Sequence, residues 1–123
     1  MPYQQLEAVC AHYGGAIEQQ KGSDKEARRL GTIIRNALGV LREDGVFAFY
    51  LFLRYRWEDG GKVIWPQLKA LWQNDAIGPL LTGAGSDRDQ VIALTDDLQA
   101  LLLARDVAER TLVYALYGLR AKG

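Results

Sequence analysis

A chain of 123 residues, 49% apolar and 24% charged with a formal net charge of zero, is sized for one domain around one core. Its single cysteine, Cys10, and single histidine, His12, exclude an internal disulfide and leave a Cys/His metal site at most two ligands, where structural zinc takes four. The apolar run Val46–Leu53 falls well short of the roughly 20 residues that span a bilayer, and the first twenty residues carry only Glu7 and Glu18 as formal charges, so the expectation is a cytoplasmic protein with no membrane partner.

In chain order, Leu6, Val9, Cys10, Tyr13 and Ile17 recur at spacings of three and four, which makes one face of a helix within residues 3–20. Gly14-Gly15 weakens its second half by about 1 kcal/mol per glycine relative to alanine and predicts a kink or a close helix contact there. Ser23-Asp24-Lys25-Glu26 is a capping box, in which the serine oxygen accepts from the Glu26 amide while the Glu26 carboxylate reaches back to the Ser23 amide. The helix begun there carries Ala27, Leu30, Ile34, Ala37, Leu38 and Leu41 on one face, and Gly45, after Arg42, supplies a left-handed cap.

A second helix follows almost at once, in the stretch GVFAFYLFLRYRW. As a strand this run lacks a comparable apolar, β-branched partner anywhere else in the chain. Wound as a helix it is apolar all round, the pattern of a helix buried at the centre of a bundle. Arg54 and Arg56 then fall in its last turn, where cations favour the helix dipole. After a loop from Glu58 to Gly61, Trp65, Leu68 and Trp72 form another apolar stripe, with Pro66 in its first turn and Gly78-Pro79 as its stop. Beyond a loose LTGAGS segment, Ser86-Asp87-Arg88-Asp89 repeats the cap chemistry, and apolar periodicity continues from Val91 to Leu119. That tail is either two helices broken near Thr95-Asp96-Asp97 or one long bent one. The expected fold is all-α, a compact bundle of about six helices in a single domain over residues 1–123.

Signs of catalysis are few. Ser23 and Ser86, the only serines, are both placed as helix caps, and the lone His12 sits beside apolar neighbours. Cys10 lies two residues from His12, so the two point to different sides of a helix and make no thiolate pair. The GAG at 83–85 has neither a preceding strand nor a P-loop lysine, and Asp96-Asp97 reads as a helix start. The sequence makes no case for an enzyme and calls for no cofactor.

Charge is the more informative feature. Residues 21–36 carry a balance of +3, residues 73–97 a balance of −4 and the stretch from 98 onward +2, so a neutral total hides basic ends and an acidic middle. Lys25, Arg28, Arg29, Thr32 and Asn36 share the side of the second helix opposite its leucines, with Arg35 at the flank and Lys21 just upstream. Solvated faces usually mix signs for helix-stabilising pairs, and this one does not. An ordinary exposed face, phosphate binding and an acidic protein partner all fit that periodicity. The candidate RNA-contacting cations are Lys21, Lys25, Arg28, Arg29 and Arg35, together with Arg54 and Arg56 beside rings that could stack on bases but serve more simply as core.

The order of a basic helix ending in ALGVLREDG, then VFAFYLFLRYR, a tryptophan-bearing helix and a last helix closing as YALYGLRAKG resembles the small all-helical subunit of type III-B CRISPR effector complexes. Asp44-Gly45, Phe49 to Arg56, Trp72 and Tyr117 to Ala121 carry the resemblance, which runs from about residue 24 to the end. It departs where the family leads one to expect a tryptophan near Tyr117 and an acid near Arg110, which keeps the type III-A small subunit open. The resemblance implies a non-catalytic, cytoplasmic subunit of an antiviral ribonucleoprotein. Copies of it stack head to tail beside the backbone and large subunits and help to seat target RNA along the guide RNA. The rival expectation is a helical adaptor whose basic helix meets an acidic protein.

Overall fold

The computed structural model describes residues 3–81, 83 and 85–121, with side chains from Gln5 onward. Lys122 and Gly123 at the close of YALYGLRAKG, and Thr82 and Ala84 in the LTGAGS segment, lie outside the described residues. Those described form six α-helices and no strand: α1 Tyr3–Glu18, α2 Asp24–Asp44, α3 Val46–Tyr55, α4 Lys62–Gln73, α5 Asp87–Thr95 and α6 Leu98–Arg120. They pack as one all-α bundle. The long α6 runs against α1 most extensively and also meets α2, α3, α4 and α5.

Side chains at the helix starts explain where the elements begin. The Ser23 hydroxyl accepts from the Glu26 amide at 3.2 Å and donates to the Glu26 carboxylate at 3.1 Å, so that carboxylate bonds the cap's hydroxyl. Ser86 accepts from the Asp89 amide at 3.1 Å to start α5, and Asp97 accepts from the Ala100 amide at 3.1 Å to start α6. The tail is therefore two helices, broken at Asp96-Asp97. Gly45 joins α2 to α3 alone, with φ 94° and ψ −176°, a positive-φ extended conformation in place of the expected left-handed one. Its amide still reaches back to the Val40 carbonyl at 3.2 Å, which lets α2 run on to Asp44.

The stretch GVFAFYLFLRYRW is helical as expected, but not buried all round. Val46, Phe49, Tyr50 and Leu53 are buried along one face, while Leu51 is 38% and Tyr55 84% exposed. The buried rings connect edge to face: Tyr50 to Trp65 at 4.8 Å, Trp65 to Trp72 at 5.8 Å and Phe49 to Trp72 at 6.4 Å. Both indole N–H groups are satisfied, Trp72 donating to the Ala104 carbonyl at 3.1 Å and Trp65 to Asp87 at 2.8 Å.

Two expectations shift at α4. Residues Trp57–Gly61 form a kinked turn, with Gly60 outside helical geometry at φ 158° and ψ −17°, that leads directly into α4, so Pro66 lies one turn inside the helix and not in its first turn. The helix also ends at Gln73, well before Gly78-Pro79. Asn74 stops it there by accepting from the Ala76 amide at 2.8 Å and donating to the Tyr13 hydroxyl of α1 at 3.1 Å. At Gly14 the structure selects the close helix contact, with α1 unbroken: a Cβ there would lie 2.8 Å from the Thr111 carbonyl of α6.

Candidate nucleic-acid interface

At 3.6 residues per turn, the exposed arc of α2 reads Arg35, Arg28, Thr32, Lys25, Asn36 and Arg29 from one edge to the other, across about 120°. The opposite side buries Leu30, Ile33, Ile34, Ala37, Leu38 and Leu41, which fixes the arc outward. Arg28 and Arg35 lie two turns apart on nearly one line, about 10 Å along the axis. Thr32 sits between them, donating to the Arg28 carbonyl at 3.0 Å and accepting from the Arg35 guanidinium at 3.4 Å.

The two edges of the arc meet different surroundings. On the Arg28 and Arg35 side, α2 and the C-terminal end of α6 enclose an open groove of about 680 Å³. Ala27, Gly31, Leu116 and Leu119 give it an apolar floor, and Arg120 adds a third guanidinium. Asp24 is the one acid in its lining. On the Arg29 side, a smaller groove of about 190 Å³ brings Lys21 and Lys62 together with Glu26, Glu58 and Asp59, so charge there is mixed. Lys25 stands on the ridge between the two.

The cations on the exposed arc of α2 have no carboxylate partner among the described residues. Among the described residues Arg42, Arg56, Lys62, Lys69 and Arg110 are paired with carboxylates, whereas Lys21, Lys25, Arg28, Arg29, Arg35 and Arg120 are in no ion pair, as are Arg54, Arg88 and Arg105 elsewhere. Against Asp24, Glu26, Glu58 and Asp59, these six cations and Lys62 leave an excess of three positive charges around the two grooves. Self-repulsion of that kind opposes the compact state, and an anionic partner relieves it.

Arg54 and Arg56 line neither groove. The Arg54 guanidinium lies 4.3 Å over the ring of Trp57, and Arg56 is bound to Asp59 at 2.8 Å, so both are engaged within the turn that follows α3. Arg120 is not among the cations that the sequence singles out. Its signal, a cation in the last turn of the last helix, was present, but which helix that turn meets is a tertiary fact.

Elsewhere the titratable groups have ordinary structural roles. The Cys10 thiol is fully buried and donates to the Val107 carbonyl at 3.6 Å, and burial pushes its pKa up, away from nucleophile chemistry. His12 is exposed, its ring edge-on to Tyr13 at 5.0 Å. Asp87 accepts from Lys69 at 2.8 Å and from the Trp65 indole, and Lys69 first, then Trp65, hold its carboxyl below the usual carboxylate range. No helix among the described residues is long and apolar enough to cross a membrane, and no group of three His, Cys, Asp or Glu among them could hold a metal ion. No protein-family model, curated protein or solved structure matches the chain.

Proposed function

We propose that this chain is a non-catalytic small subunit of an RNA-guided antiviral effector of the type III-B CRISPR kind, seating target RNA beside the guide through the cationic face of α2. The observation that carries the reading is the arc from Arg35 to Arg29, whose cations have no intramolecular ion pair among the described residues. A polyanion supplies the missing counter-charges along a line, and release of its condensed counterions drives the association. The order of helices that resembles the small-subunit family supports the same reading, with other subunits supplying any cleavage.

Isolation of the native assembly tests this. A tagged chain expressed in its own host is expected to co-purify with other effector subunits and a guide RNA bearing repeat-derived ends, and the identity of those subunits separates type III-B from type III-A. Recovery of an acidic protein partner with no RNA would instead favour the adaptor.

A further inference from the structure

The groove between α2 and α6 has a composition that a plain phosphate-binding face does not require. Three guanidiniums, from Arg28, Arg35 and Arg120, stand around a floor made by Ala27, Gly31, Leu116 and Leu119. Its volume of about 680 Å³ lies within the range of about 300–1,000 Å³ typical of small-molecule sites. Backbone phosphates alone need only the cations. An apolar floor beside them suits a ligand that joins a flat, weakly polar body to an anionic end.

We propose that this groove seats one unstacked nucleotide of a single RNA strand, its base against the Leu116 and Leu119 floor and its phosphates on Arg28, Arg35 and Arg120. This rests on the reading of α2 as an RNA-facing helix and adds to it a base-binding pocket. Splayed bases of single-stranded RNA lie elsewhere on aromatic rings or guanidinium planes, and flipped bases are held between aromatic or apolar side chains. Asp24 in the same lining offers a carboxylate that can accept from a base N–H or a ribose hydroxyl. At Gly31 an added Cβ would meet only Leu116, at an ordinary contact distance of 3.8 Å, so alanine is accommodated there.

The test is nuclear magnetic resonance of the full chain with labelled leucine methyls, titrated with octauridylate and with an abasic ribose-phosphate octamer of equal charge. The expected result is that octauridylate shifts the Leu116 and Leu119 methyls and binds roughly tenfold more tightly than the abasic strand. Ala27→Leu, which fills the floor without changing charge, brings the two strands to equal affinity. Gly31→Ala, which favours helix and narrows the floor less, moves the ratio the same way by a smaller factor and serves if Ala27→Leu fails to fold. Equal binding of both strands to the native chain, with the leucine methyls unmoved, overturns the pocket. If Arg28→Glu with Arg35→Glu still weakens both strands in that case, the RNA-facing reading of α2 survives. Unchanged binding of both strands by that charge-reversed variant removes the RNA-facing reading and the pocket together. A polyglutamate peptide that displaces octauridylate and shifts the same methyls also overturns the assignment to RNA.

Discussion

Gly14 and Gly15 are neighbours in one helix, yet alanine at each is predicted to change stability in opposite directions. A Cβ at Gly14 would press on the backbone carbonyl of Thr111 at 2.8 Å, and backbone cannot rotate away as a side-chain tip can. Gly14→Ala is therefore expected to cost about 1–3 kcal/mol as an overpacking change. A Cβ at Gly15 meets nothing within 4 Å, so Gly15→Ala is expected to gain about 0.5–1 kcal/mol by helix propensity alone. Urea unfolding of the two variants checks both signs. Asp87 gives a second prediction. Its pKa is lowered chiefly by Lys69, so the stabilisation it provides is complete above the usual value of 3.8 and is lost as pH falls through the lower folded-state value. Unfolding midpoints at pH 7 and near pH 3 are expected to differ less in Asp87→Asn than in the native chain.

At the scale of elements, α3 is the clearest case of a helix set by packing. Phe49 is fully buried and meets Trp72 edge to face at 6.4 Å, so Phe49→Ala is expected to cost about 3–5 kcal/mol in denaturant unfolding. Unchanged unfolding together with abolished RNA binding would make the run a stacking surface instead. Helix starts are legible in the sequence because their signals are local: Ser23 and Ser86 each bond an amide three residues on. Helix ends are less so. Asn74 halts α4 while donating to Tyr13, 61 residues away in sequence, and no spacing rule anticipates that partner. The kinked turn before α4 is equally tertiary, since Gly60 abuts Ile33 of α2 and Gly61 abuts the Leu53 carbonyl. The apolar composition of Val46–Leu53 predicts burial on every side. One face alone is fully buried, because α3 lies at the side of the bundle and leaves Leu51 and Tyr55 toward solvent.

Over the whole molecule, the cations of α2 and the absence of acid among them are legible in the sequence, but their division between two grooves is not. That division follows from the neighbours of α2: the end of α6 brings apolar floor and Arg120 to one edge, and the turn after α3 brings Glu58 and Asp59 to the other. The central claim is that the first edge and the ridge beside it meet the RNA backbone. It is tested most directly by the salt dependence of single-stranded RNA binding by the native chain and by Arg28→Glu with Arg35→Glu. Both positions are exposed and outside the capping box, so thermal unfolding of the variant is expected to stay close to native. The account predicts weaker binding of every RNA sequence tried, with the slope of log K against log salt reduced by about 0.7 for each phosphate that is no longer neutralised. Native affinity and a native slope in the folded variant would contradict it.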